Sequence, residues 1–222
     1  MIQISKIIEA EKLKLEEACK KMKQKGFNIL ISASDFKELF LTQCNLIIAE
    51  RNINRAFEIT TENTKVINQI YFYLIGDNEQ FDGELNKGIL LVGKNGVGKT
   101  LILEAYFNML FILLDKVVTK IHSKRLHHLI IASIKDSGIE SLEKKPLFID
   151  DLGKEPKKVN DFGTESMPIP DLLALRYDRG SLTFATCNYK MDTLIEFYGT
   201  TTTDRMKEMF NIIELDGESF RK

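Results

Sequence analysis

Residues Gly93-Lys94-Asn95-Gly96-Val97-Gly98-Lys99-Thr100 have types and spacing that suit phosphate chemistry: Gly93 and Gly98 enclose four residues, and Lys and Thr follow at once. The glycines let the backbone bend and approach an anion with no Cβ in the way. The exposed N–H groups of such a loop, with the start of the helix that follows, form a nest for phosphate oxygens. The expected nucleotide-binding set is therefore Gly93, Asn95, Gly96, Val97, Gly98, Lys99, Thr100 and Leu101. Lys99 is expected to contact the β- and γ-phosphates of ATP, and the Thr100 hydroxyl to hold Mg²⁺.

A second chemical element lies about fifty residues on, at Leu147-Phe148-Ile149-Asp150-Asp151. Three apolar residues followed by two carboxylates describe a buried strand that delivers acids to its C-terminal edge. In a phosphate-loop protein the first acid, Asp150, would orient Mg²⁺, and Asp151 would sit where a carboxylate can polarise an attacking water. Asn188 ends a further apolar run, Ser181 to Cys187, and can hydrogen-bond a γ-phosphate or that water, or simply make a turn. His122, His127 and His128 cluster with Lys120, Lys124 and Arg125. No acid or Cys completes a metal set there, so the alternatives are a basic patch for single-stranded nucleic acid or plain surface.

The surrounding elements must hold these groups in place. Gly88 to Val92 reads as a buried strand and Leu101 to Leu114 as a helix, the strand–loop–helix context the glycine motif needs. Lys116 to His122 reads as a second strand, Lys124 to Ser137 as a helix capped by Ser123, and Gly138 to Lys145 as a loop. An intervening strand is expected to separate the two acid- and phosphate-bearing strands in the sheet. Pro156 to Pro170 reads as a long irregular loop, Asp171 to Asp178 and Met191 to Tyr198 as helices, and Ile212 to Leu215 as a last strand. Upstream, residues 1 to about 26 suggest an amphipathic helix with a Lys20, Lys21, Lys23, Lys25 cluster. Ser34 or Asp35 suggests the cap of a second helix, and Thr64 to Leu74 a third. The polar stretch near Phe57 to Asn63 marks the expected boundary between a helical N-terminal region, 1–56, and a core, 57–222.

Composition is that of an ordinary globular protein: 222 residues, 44% hydrophobic and 28% charged, with a formal net charge of −1. Any nucleic-acid binding must therefore come from local patches. Cys19, Cys44 and Cys187 show no paired spacing and read as reduced thiols. The most apolar run carries Glu104 and is too short to span a bilayer, so the expected compartment is the cytoplasm, with no membrane partner.

Taken together, Gly93 to Thr100, "LFIDDLG" (147–153), "TFATCN" (183–188) and "DRMKEMFNIIELDGESFR" (204–221) resemble the AAA+ ATPases. Within them the likeness is to the DnaC/DnaI helicase loaders and the transposition ATPase IstB. The resemblance runs from about residue 57 to the end, with Arg176-Tyr177 also matching. It implies an α/β fold: a P-loop NTPase with a five-stranded parallel sheet flanked by helices, lacking a C-terminal lid. It further implies that Asn188 senses the γ-phosphate, that Arg205 acts as an arginine finger toward a neighbouring protomer, and that Arg221 contacts nucleotide. A DnaC-like member would hydrolyse ATP weakly, self-associate through the ATP site, and act with single-stranded DNA and a replicative helicase. An IstB-like one would assist a transposase on duplex DNA. A third reading is an ATP-binding adaptor with negligible turnover.

Overall fold

The computed structural model describes residues 9, 11–17, 27–126, 139–161 and 164–220. The elements run α1 (Ala33–Glu50), α2 (Thr61–Ile75), β1 (Gly88–Val92), α3 (Lys99–Leu114), β2 (Thr119–His122), α4 (Ile139–Lys144), β3 (Leu147–Leu152), β4 (Val159–Asp161), β5 (Thr164–Ser166), α5 (Pro168–Asp178), β6 (Thr183–Cys187), α6 (Met191–Tyr198), α7 (Thr200–Met209) and β7 (Phe210–Glu214).

Five strands form one parallel sheet in the order β2-β3-β6-β1-β7. β1 and β6, with every residue buried, take inner places, whereas β2 and β7, which carry exposed residues, take the edges. Alternation along β1 sorts its side chains onto the two faces. Ile89 and Leu91 join a core with α1, α2 and α3, and Leu90 and Val92 join a second core with α5, α6 and α7. The result is a three-layer α/β sandwich, the expected five-stranded parallel architecture.

α3 is buried nearly all round, from Leu101 and Ile102 to Met109 and Leu110, because the sheet lies on one side and α1 on the other. α1 is capped by Ser32, whose hydroxyl accepts from Asp35 N at 3.1 Å, two residues before the earlier of the two expected caps; Asp35 instead sits in the first turn. Phe57 packs edge-on against Phe40 at 6.1 Å, so the α1–α2 connection, where the boundary was expected, is pinned to this core. Thr60 and Asn63 form a reciprocal capping box that starts α2.

Several local expectations change. The strand lying between β1 and β3 is β6, not β2, which intervenes in sequence but goes to the edge; uninterrupted burial suits β6 to the centre. Within the expected loop, Ile139–Lys144 is helical, with Leu142 buried and Glu143 paired to Arg179 at 2.5 Å. The proline-bearing stretch contains an antiparallel pair, β4 with β5. The last strand starts two residues earlier than expected, at Phe210, which is buried under the sheet. Of the N-terminal helix, 11–17 is helical; the lysine cluster at 20–25, His127, His128, most of the helix expected over 124–137, and Arg221 lie outside the described residues. Among the described residues no helix is long and apolar enough to cross a membrane. Cys44 and Cys187 are buried free thiols, pushed up by burial to about 12 and about 11 respectively.

Candidate functional site

The C-terminal ends of β1, β3 and β6 open onto a cleft of about 960 Å³. Ligands of open α/β sheets gather at this edge. Its floor is the 93–100 loop. Gly96 and Gly98 have φ of +87° and +95°, left-handed values that favour glycine. A Cβ at Gly96 would stand 2.1 Å from Ser219 Oγ, so the chain's C-terminal segment closes onto the loop here. Phe220 N donates to Gly96 O at 3.0 Å, and Arg55 donates to Phe220 O. Gly98 is the N-cap of α3 with no side-chain cap, which leaves the first-turn N–H groups facing the cleft for an anion.

Lys99 is nearly sealed off, at 4% exposure, and its ammonium uses all three donors: Gly93 O at 2.8 Å, Lys94 O at 2.7 Å and Asn188 Oδ1 at 2.8 Å. Burial lowers it to about 8, against the partly compensating charges of Asp151 and Asp150. Thr100 Oγ donates to Asp150 Oδ1 at 2.7 Å.

A regular strand would aim Asp150 and Asp151 at opposite faces of the sheet. β3 instead slips register against β6 between Ile149 and Leu152, with three steps on β3 set against the two from Ala185 to Cys187. Asp151 takes up the irregularity at φ +63°. The buried Thr186 hydroxyl joins the two acids across the bulge, donating to Asp150 Oδ1 at 2.7 Å and accepting from Asp151 N at 2.9 Å. Asn188 Nδ2 donates to Asp151 Oδ1 at 2.9 Å, and Lys154 Nζ lies 2.9 Å from Asp151 Oδ2. Burial by itself would raise the Asp151 carboxyl. The hydrogen bonds from Lys154 and Asn188, with the charges of Lys154 and His122, outweigh it and hold the group below its ordinary value.

A hydroxyl and a carboxylate oxygen in contact, Thr100 with Asp150, make a hard-oxygen pair of the kind Mg²⁺ takes, the ion keeping waters and phosphate oxygens as its remaining ligands. The groups in hand can therefore seat a polyphosphate on backbone N–H groups and Lys99, and can present a carboxylate and an amide where its last phosphate would end. The structure thus brings together Lys99, Thr100, Asp150, Asp151 and Asn188. Arg205 is not in this cleft; its guanidinium lies over the Tyr177 ring, 5.7 Å from the centroid.

Thr186 and Lys154 carry no expectation from sequence, and Lys120 only that of a basic surface cluster. Thr186 lies inside the 183–188 motif, and Lys154 three residues past Asp151, so proximity to the motifs was the available signal. Lys120 reaches in from β2, 3.4 Å from Asp150 Oδ2 and also paired with Glu104, which Arg51 pairs with from α1's end. Arg176, part of the matched Arg-Tyr pair, is fully buried away from the cleft. It donates to Thr183 Oγ at 2.9 Å and to the carbonyls of Leu142, Lys145 and Leu182.

No protein-family model matches the chain, and no curated relative matches it. Solved structures do. The crystal structure of the DnaC helicase loader aligns with a TM-score of 0.57 at 22% identity, over 73% of this chain and 94% of that one. A primosome-component candidate from Streptococcus pyogenes serotype M3 aligns with a TM-score of 0.57 at 20% identity, over 90% of this chain and 97% of that one. The replication initiator DnaA bound to AMPPCP and single-stranded DNA aligns with a TM-score of 0.53 at 17% identity, over 73% of this chain and 49% of that one. The chain therefore shares the fold of these structures, a five-stranded parallel sheet flanked by helices.

Proposed function

We propose that this chain binds ATP with Mg²⁺ in the cleft between the 93–100 loop and β3, hydrolyses it slowly, and works as a helicase-loader-type ATPase on single-stranded DNA. The observation that carries the reading is the convergence of Lys99, Thr100, Asp150, Asp151 and Asn188 at the C-terminal edge of a DnaC-like sheet. The solved DnaA neighbour that carries AMPPCP and single-stranded DNA supports both ligands.

In this reading the loop N–H groups and Lys99 hold the β- and γ-phosphates. Thr100 and Asp150 hold Mg²⁺, which supplies neutralisation of phosphate charge. Thr186 fixes the Asp150 carboxylate through its hydroxyl. Asp151 draws a proton from the attacking water, and Asn188 orients that water or the γ-phosphate. Arg205, on α7 and outside the cleft, serves as the arginine finger toward a neighbouring protomer, so turnover depends on self-association. The region 1–56 engages the partner, a replicative helicase, in the cytoplasm.

The deciding experiment mixes two inactive variants. Lys99→Ala removes phosphate binding, and Arg205→Ala removes the finger. Steady-state phosphate release measured with single-stranded DNA should be low for each variant alone and partly recovered in the mixture, where some interfaces join an intact Lys99 site to an intact Arg205. If Arg205→Ala hydrolyses and assembles like the wild type, the shared-site reading fails.

A further inference from the structure

Lys154 lines the same cleft as Lys99. It lies in the turn that closes β3, where Lys154 N donates to Asp151 O at 3.2 Å. Its ammonium is 2.9 Å from Asp151 Oδ2 and 3.4 Å from Asn95 Oδ1, so it bridges the end of β3 and the 93–100 loop. The turn that presents it is anchored. Glu155, buried to 7% exposure, accepts from Gly153 N at 3.0 Å and from the Tyr198 hydroxyl of α6. The side chain itself keeps 28% exposure and lines the cleft with Asn95, Asp151 and Asn188. A buried acid thus fixes the backbone while the ammonium faces the open space.

Three observations bear on what that ammonium does. Among the described residues it is the hydrogen-bonded cation on the Asp151 carboxylate; His122 Nε2 stands farther off at 3.5 Å. The volume it borders, among Asn95, Asp151 and Asn188, is where the last phosphate of a nucleotide seated on Lys99 and the 93–100 loop would end. And a terminal phosphate carries more charge and more acceptor oxygens than one carboxylate, so it is the stronger partner for an ammonium.

Resting on the proposed nucleotide site, we propose that Lys154 is a second phosphate-binding lysine, supplied by the same chain. It exchanges its ion pair with Asp151 for the terminal phosphate of a bound nucleoside triphosphate, and so frees Asp151 Oδ2 for the attacking water. A nucleoside diphosphate stops short of it, and Asp151 stays paired. The step is an exchange of hydrogen-bond partners, with no bond made or broken. It ties availability of the base to the presence of the phosphate that is to be cleaved, and it makes Lys154 the residue that tells triphosphate from diphosphate.

The test is calorimetric titration of the full chain with AMPPCP and with ADP, both with Mg²⁺, for wild type, Lys154→Met and Lys154→Arg. The wild type should bind AMPPCP more tightly than ADP. Lys154→Met should weaken AMPPCP by about tenfold or more, the scale of one charge-assisted contact, and leave ADP within about twofold. Lys154→Arg should restore most of the preference. Retained ADP binding by Lys154→Met doubles as evidence that the variant is folded. The inference is overturned if AMPPCP and ADP weaken in parallel, if neither changes, if Arg behaves like Met, or if the wild type does not prefer AMPPCP. A wild type that binds neither nucleotide overturns the nucleotide site as well; one that binds both while Lys154→Met keeps the wild-type ratio overturns only the role of Lys154.

Discussion

The side-chain amide of Asn188 donates to Asp151 Oδ1 at 2.9 Å, tying the tip of β6 to the second acid of β3. The other end of the same amide accepts from Lys99 at 2.8 Å. Asn188 is thus the mechanical link between the phosphate lysine and the carboxylate proposed to act on water, and its two ends match the needs of a cation and an anion.

Asn188→Ala should therefore lower turnover more than binding. Loss of one oriented amide in a site of this type costs roughly 10²-fold in rate. Affinity for AMPPCP should stay within about threefold, because the loop N–H groups and Lys99 remain. Phosphate-release rates set beside calorimetric affinities check this; unchanged turnover would remove Asn188 from the chemistry.

Thr186→Val keeps shape and deletes the hydroxyl that joins the acids. Asp151 N–H then loses its acceptor, the fully buried Thr186 hydroxyl, and Asp150 Oδ1 loses a donor. A buried donor left unpaired costs about 1–3 kcal/mol. Urea unfolding should show a loss of that size for Thr186→Val and little change for Thr186→Ser. The apparent Mg²⁺ requirement for nucleotide binding should rise in the Val variant only.

Lys99 is lowered by burial from 10.5 to about 8 in the ligand-free chain. Between those values the unfolded chain holds more protons on this lysine than the folded one. Its burial therefore penalises the fold fully below about 8, and the penalty is relieved as pH rises from there toward 10.5. A bound phosphate favours the charged lysine, so nucleotide binding above pH about 8 should take up protons and weaken with further rise in pH. Calorimetry in buffers of different ionisation enthalpy reads the uptake directly.

Two fully buried polar side chains of the core should respond in opposite directions. Arg176, lowered by burial to about 10, satisfies the carbonyls of Leu142, Lys145 and Leu182, which join α4, the start of β3 and the start of β6. Arg176→Met strands those acceptors and should cost about 3 kcal/mol or more. The Tyr106 hydroxyl is buried and has no hydrogen-bond partner among the described residues. Tyr106→Phe removes an unpaired polar group and should leave stability equal or higher by about 1 kcal/mol. Thermal unfolding of the two variants separates the cases.

The order of strand, glycine loop, helix and acid-bearing strand was legible because each depends on short-range features. Gly88 to Val92 is a run of buried-strand type, and Leu101 to Leu114 is long, apolar and free of proline. Met191 to Tyr198 came out with its bounds unchanged because Gly199 stops it. Misreadings fell where local signals were silent or ambiguous. Ile139–Lys144 is short and mostly polar, and is helical through Leu142 packing and the Glu143–Arg179 pair. Both strands that come between or beside β1 and β3 look apolar in sequence, and only burial on both faces sends β6, not β2, to the middle.

By itself the sequence determined which residues are able to do chemistry here, because backbone freedom at Gly93 to Gly98, the Lys99 charge, the Thr100 hydroxyl and the paired carboxylates are properties of residue type and near-neighbour spacing. Tertiary structure decided how they meet. The one-residue slip between β3 and β6 puts Asp150 and Asp151 on a single hydroxyl, Thr186. The closing turn of β3 carries Lys154 across to Asn95, and the C-terminal segment folds back until Phe220 bonds to Gly96. Each of these depends on a register or a long-range contact between segments whose local patterns would be equally content elsewhere, and so is written only in the packing.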